Sequence, residues 1–151
     1  MPTKETILIV EDEAGPRAAL EMILNPIYNI HTVSNGKDAL RIIQDQEVDL
    51  VTLDLKMPGL SGIDVLQEIK KIKPDAEVII ITGEGGLSNA KKTLQCGAND
   101  FISKPFHVAE VLNVVRKSFE RRNTRLKINK LIQHTKDFQN APANIEEVSI
   151  H

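Results

Sequence analysis

Disulfide frameworks, zinc clusters and membrane-spanning helices are the first things this sequence lacks the residues for. Its 151 residues include a single cysteine, Cys96, so neither an intrachain disulfide nor a thiolate cluster can be built. That points to a reducing compartment, and a cytoplasmic location is the expectation. No apolar run approaches the ~20 residues that a spanning helix needs. The opening Met-Pro-Thr-Lys-Glu-Thr leads straight into a strand pattern and lacks the layout of a signal peptide. Aromatic residues are scarce, with four Phe, one Tyr and no Trp, which leaves no platform for stacking bases. A formal net charge of -2 gives no strong field to draw nucleic acid or acidic lipid. There is also no glycine-rich loop ending in Lys-Ser or Lys-Thr to cradle a nucleotide's phosphates. What is present is 41% hydrophobic residues, enough to bury one core.

The apolar residues fall into short runs. Ile7–Val10, Asp49–Leu53, Val78–Ile81 and the short Asp100–Ile102 read as strands, and the first three are almost continuously apolar. Such runs fit strands buried on both faces of a parallel sheet. Tyr28–Val33 alternates more and reads as an edge strand. Helical spacing lies between them. Residues 14–24 carry Ala18, Met22 and the pair Leu20 and Leu24. A second helix follows the turn Ser34-Asn35-Gly36 and carries Ala39, Ile42 and Ile43. A third follows Ser61-Gly62, turns Val65, Leu66, Ile69 and Ile72 inward, and stops before Pro74. A fourth covers about residues 87–96 and ends at Gly97, where a left-handed C′ residue fits. A fifth begins near Val108 with Val111, Leu112, Val115 and Phe119 on one side. Strand and helix alternate five times, and right-handed crossovers then give one doubly wound α/β sheet. Such sheets bind ligands outside the carboxyl ends of their strands.

The residues at those ends are chemically coherent. Glu11-Asp12-Glu13 follows Val10, Asp54 follows Leu53, Thr82-Gly83 follows Ile81, and Ser103-Lys104-Pro105 follows Ile102. Taken singly, each has a plain explanation: carboxylates cap helices, and an isolated lysine is usually solvated. Their joint placement at the ligand edge favours a site. Clustered carboxylates repel unless a cation sits among them, and Mg2+ suits one or two carboxylates with waters and phosphate oxygens. Asp54 then becomes a nucleophile for phosphorus, with the metal, Lys104 and Thr82 each taking a phosphoryl oxygen. Gly83 leaves the approach open.

These segments resemble the response-regulator receiver domain of bacterial two-component signalling. The matching stretches are Ile7-Leu-Ile-Val-Glu-Asp-Glu13, Leu53-Asp-Leu-Lys-Met-Pro-Gly-Leu-Ser-Gly62, Ile79-Ile-Ile-Thr-Gly83 and Gly97-Ala-Asn-Asp-Phe-Ile-Ser-Lys-Pro-Phe106. The receivers of enhancer-binding transcription activators are among those it resembles. The resemblance covers roughly residues 5–120 and implies a flavodoxin-like (βα)5 fold, its parallel strands in the order 2-1-3-4-5. It implies Asp54 as phosphoacceptor and Mg2+ bound by Asp12, Asp54 and the backbone carbonyl of Lys56, with Glu11 acting through water. Thr82 and Phe101 match a switch pair in which the hydroxyl moves to the phosphoryl group and the ring turns inward. Lys104 matches the family's lysine, with a cis bond before Pro105. Lys56 and Glu84 occupy places where the family varies its dephosphorylation rate and either pair over the site mouth or stay solvated; Gly83 and Pro105 are further modulating positions. The acidic pair is Glu-Asp instead of the commoner Asp-Asp, and Phe101 lacks the hydroxyl of the tyrosine found in many relatives.

The implied partners are a sensor histidine kinase and an effector domain or protein, with a homodimer through the fourth helix, fifth strand and fifth helix, or through the tail, as a further reading. Neither a membrane nor nucleic acid is an expected direct ligand. Two other readings stay open: a metal-dependent phosphatase of similar topology, which would want an Asp where Lys56 stands, and a receiver that binds partners without phosphorylation. The expected division is a receiver over 1–120 and a helical extension or linker over 121–151, its end disordered. Residues 116–130 hold seven basic residues and one acidic, whereas 1–115 hold 11 basic and 17 acidic. Cys96 is expected to be a small packed residue, Asp64 to be solvated, and the four dispersed histidines show no metal-ligand spacing.

Overall fold

The computed structural model describes residues 4–83 and 87–140. Its elements run β1 (Thr6–Val10), α1 (Ala14–Leu24), β2 (Asn29–Val33), α2 (Gly36–Asp45), β3 (Leu50–Leu53), α3 (Gly62–Ile72), β4 (Glu77–Thr82), α4 (Leu87–Gln95), β5 (Asp100–Ser103) and α5 (Val108–Gln139). The five strands form one sheet in the order β2-β1-β3-β4-β5, every pair parallel. This is the doubly wound α/β sheet that the strand–helix alternation predicts, with the flavodoxin-like strand order that the resemblance implies. Strand order reverses at β1, which pairs with β2 on one side and β3 on the other.

The continuous apolar runs are explained by what each face meets. Successive side chains of a strand point to opposite faces. Leu8, Val10, Val51, Leu53, Val78 and Ile80 join Ala39 and Ile43 of α2 and Val65, Leu66 and Ile69 of α3 in one core. Ile7, Ile9, Leu50, Ile79, Ile81 and Ile102 join Leu20 and Leu24 of α1 and Val111, Val115 and Phe119 of α5 in the other. Fully burying each such aliphatic side chain contributes roughly 1.5–3 kcal/mol. β2 at the sheet edge has no buried residue, consistent with its alternating sequence. Asp49 lies just outside β3 and accepts the Thr6 amide at 2.8 Å.

Local signals bound the helices where expected. Asn35 accepts the Asp38 amide at 2.8 Å ahead of α2, and Ser61 accepts the Asp64 amide at 3.4 Å ahead of α3. Gly97, with φ of 107°, follows α4 in the left-handed region that glycine tolerates. α1 departs from the sequence reading. Leu20 and Leu24 are buried, while Ala18 is exposed and Met22 is 78% exposed. The two i,i+4 pairs lie about 160–200° apart around the helix, and the sheet covers only the leucine side.

The chain divides into two compact units between Phe119 and Glu120. In the first, α5 contributes Val111, Val115, Ser118 and Phe119, and the Tyr28 ring packs on Phe119 at 5.2 Å between centroids. The described part of the second is helical as far as Gln139, with Ile128, Leu131, Ile132 and Phe138 exposed. The expected disordered end lies outside the described residues. Among those residues no helix is long and apolar enough to cross a membrane.

Gly62 ties this frame to the β3–α3 loop. A Cβ there would lie 2.5 Å from Leu55 Cα and 3.0 Å from the Asp54 carbonyl oxygen, both backbone atoms that cannot rotate aside. At Gly15 a Cβ would meet nothing within 4 Å. Gly62→Ala is therefore expected to destabilise the fold by about 1–3 kcal/mol in urea unfolding followed by circular dichroism. Gly15→Ala should leave stability unchanged or raise it by up to about 1 kcal/mol.

Candidate functional site

The parallel ladder continues one residue past three of the strands and carries the site residues with it. The Glu11 amide donates to the Val33 carbonyl at 3.1 Å, the Asp54 amide to the Val10 carbonyl at 3.1 Å, and the Lys104 amide to the Thr82 carbonyl at 2.9 Å. Each functional side chain is thus the first or second residue beyond a buried strand, or the last within it, and sheet geometry sets its position. Glu11 is 1%, Asp54 3% and Thr82 0% exposed. Three such polar groups persist inside a protein only when they satisfy one another.

They do so around Asp54. Its Oδ1 accepts the Thr82 hydroxyl at 2.9 Å and the Lys56 amide at 3.0 Å. Its Oδ2 accepts the Lys104 ammonium at 2.8 Å. The same ammonium lies 2.5 Å from Glu11 Oε1, and Glu11 Oε2 accepts the Glu13 amide at 3.1 Å. Lys104 therefore bridges the two buried carboxylates. The Lys104–Pro105 peptide bond is cis, as the resemblance implies.

Burial and these bonds push the two acids apart. Burial raises the Glu11 carboxyl to about 7, helped by the charge of Asp54 and only partly opposed by Lys104 and the Glu13 amide. Burial also acts to raise Asp54. There it is overcome by hydrogen bonds from Lys104, the Lys56 amide, Thr82 and Glu11, which hold Asp54 below the ordinary range. Burial disfavours the Lys104 cation, but its two carboxylate partners outweigh that and raise it. Of the two, Glu11 is therefore the acid that more readily holds a proton and Asp54 the one that more readily stays an anion.

Oxygen ligand atoms of Glu11, Asp12, Glu13 and Asp54 all lie within 4.8 Å of one another. An all-oxygen, carboxylate-rich donor set fits a hard divalent cation. Asp12 is half-buried and Glu13 exposed. Phe101 is half-buried against the core beneath α2 and α3. Gly83 is exposed beyond β4, Pro105 is exposed, and Lys56 is exposed although its amide reaches Asp54. The Thr82 hydroxyl rests on Asp54. Glu84 lies outside the described residues.

Sequence reasoning missed Arg17. Its Nη1 donates to the carbonyls of Glu11 at 3.0 Å and Asp12 at 3.2 Å, from the second turn of α1. Its partners are backbone atoms, so residue type gave no hint of the contact. Glu13 also joins the acidic group, although it was given no role beyond the charge of its tripeptide.

The pH dependence follows from Glu11. Its folded value lies above the 4.5 of an ordinary glutamate, so the folded state binds a proton that the unfolded chain has released. The associated stability is fully present below about 4.5 and is lost as pH rises through about 7. Asp54, held low, works in the opposite sense and loses its contribution only below its unfolded 3.8. In EDTA, the thermal midpoint by circular dichroism should fall between pH 5 and pH 7.5, and Glu11→Gln should flatten that fall. A wild-type midpoint that rises over this range contradicts the assignment.

Comparison with known proteins shows the family. The profile of the response regulator receiver domain matches residues 7–116. The chain is 38% identical over 114 residues to sporulation initiation phosphotransferase F of Bacillus subtilis (strain 168), covering 75% of this chain and 92% of that protein. It is 32% identical over 117 residues to the cell cycle transcriptional regulator CtrA of Caulobacter vibrioides, covering 74% of this chain and 51% of that protein. It spans about half the length of several curated transcriptional regulators that it matches. Among solved structures, a response regulator receiver domain protein from Clostridium thermocellum superposes with a TM-score of 0.74 at 33% identity, covering 80% of this chain and 98% of that one. Profile, relatives and fold agree over the same residues, and the chain belongs to the response regulator receiver domain family.

Proposed function

We propose that this protein is a phosphorylation switch in which Asp54 accepts a phosphoryl group from a phosphohistidine of a sensor kinase. The observation that carries this reading is the setting of Asp54: buried, anionic, and bonded to Thr82, Lys104 and the Lys56 amide at the ligand edge of the sheet. An Asp54 carboxylate oxygen forms a bond to phosphorus as the phosphorus–nitrogen bond to the kinase imidazole breaks. The electron pair of that bond leaves with the imidazole, which takes up a proton. Lys104 neutralises charge on the transferred group, and the Thr82 hydroxyl turns its hydrogen bond from the carboxylate to a phosphoryl oxygen. Asp12 and Asp54, with Glu11 and the Lys56 carbonyl beside them, would hold Mg2+, which would add positive charge against the phosphoryl oxygens.

An aspartyl phosphate adds a charge of about -1.5 to -2 where Lys104 now bridges two carboxylates. Drawing Thr82 and Lys104 towards the new group frees space at β4 and β5, into which the half-buried Phe101 ring turns. The surface of α4, β5 and α5 changes in consequence, and an effector domain or a second copy reads it. Transcriptional control is the output favoured by relatives such as CtrA. The protein works in the cytoplasm and performs no chemistry on external substrates beyond gaining and losing its own phosphoryl group. Lys56 and Gly83, with Glu84, set how readily water reaches the acyl phosphate.

Incubation with Mg2+ and acetyl phosphate tests the reading by intact mass. Wild type should gain one phosphoryl group that is lost in alkali, and Asp54→Asn should gain none. Lys104→Ala should be labelled at least about tenfold more slowly, because one preorganised charge partner is removed. A wild type that stays unmodified while a known receiver is labelled alongside it overturns the proposal. Rapid turnover of external phosphoesters would point instead to a phosphatase.

A further inference from the structure

The acidic residues of the site are not held alike. Glu11 is tied by the Lys104 ammonium and the Glu13 amide, and Asp54 by three donors. The half-buried Asp12 carboxylate makes no hydrogen bond or ion pair among the described residues, yet its oxygen lies within 4.8 Å of the other ligand atoms. Only its backbone conformation aims it. That backbone is fixed from behind, because Arg17 Nη1 donates to two successive carbonyls, those of Glu11 and Asp12. The Arg17 amide in turn donates to the Glu13 carbonyl at 3.1 Å, so the arginine is anchored to the same loop that it grips.

We infer that Arg17 is a positioning residue for the cation site, holding the β1–α1 loop so that the Asp12 carboxylate faces the pocket before any cation arrives. The inference rests on the divalent-cation site proposed above. Unlike Lys104, Arg17 donates its bonds to carbonyls of the loop, and what it contributes is the shape of the backbone. A guanidinium suits this role because it stays charged and presents several donors in a rigid plane.

The sign of one measurement separates positioning from simple charge. Removing a positive charge beside clustered carboxylates should strengthen binding of a divalent cation, if charge were all that mattered. Loss of positioning should weaken it. Mg2+ titrations by isothermal calorimetry, at fixed ionic strength and pH 7.5, compare the full chain with Arg17→Ala and Arg17→Lys. The dissociation constant should rise about 10-fold in Arg17→Ala, the size of effect seen when residues that orient metal ligands are lost. Arg17→Lys should recover part of that loss. The rate of labelling by acetyl phosphate should return to within twofold of wild type at saturating Mg2+, because Arg17 touches neither the phosphoryl group nor Asp54. Binding to Arg17→Ala that is equal or tighter overturns the inference. If Arg17→Ala loses its cooperative melting transition, Arg17→Lys decides alone, and binding equal to wild type overturns the inference. A wild type that takes up no Mg2+ overturns the cation site itself and this inference with it.

Discussion

One ammonium group makes the rest of the site possible. Lys104 reaches from the end of β5 to lie between the carboxylates of Glu11 and Asp54, both almost fully buried. Two acids this close and this dry cannot both ionise without a cation between them. Lys104 is that cation, and it acts unequally: burial still raises Glu11, while Lys104 and its other donors hold Asp54 low. A carboxylate held low beside an acid pushed high is a condition set by burial and one lysine.

The sheet makes that condition reproducible. Parallel pairing fixes Val10 beside Leu53 and Thr82 beside Ser103, so Glu11, Asp54 and Lys104 arrive together as the next residues along their strands. Beneath the site's edge the sheet is apolar on both faces apart from the buried Thr52 of β3. Gly62 allows α3 to approach the Asp54–Leu55 backbone closely, and the turn after Asp54 carries the Lys56 amide to Oδ1. Receiver function on this account is a property of strand ends. The helices press the strands together, and in the case of α1 they also deliver Arg17.

Much of this was legible in the sequence for a physical reason. Central strands of a parallel sheet must be apolar on both faces, so β1, β3 and β4 announced themselves as continuous runs, and the chemistry had to follow them. The order of Asp54, Thr82 and Lys104 in the chain then gave their proximity. Contacts made by backbone atoms were not legible. Arg17 grips carbonyls, and no residue type advertises a carbonyl. The inward side of α1 was equally ambiguous, since Ala18 with Met22 and Leu20 with Leu24 have the same spacing and only the sheet chooses between them. The burial of Glu77 at the start of β4 also escaped a reading that began that strand at Val78. The partners of Lys104 are a further example: the sequence reading assigned it a phosphoryl oxygen, and the structure pairs it with both Asp54 and Glu11.

The central claim is that Asp54 is the ionised acid and Glu11 the protonated one. A pH titration by carboxyl-carbon NMR, on protein labelled with 13C at the Asp and Glu side chains and kept free of metal, observes both directly. Single substitutions of Glu11 and Asp54 assign the two signals. The account predicts that the Glu11 carbon titrates near 7 while the Asp54 carbon remains that of a carboxylate to below pH 3.8. An Asp54 signal that titrates near neutrality, with Glu11 ionised throughout, would contradict it.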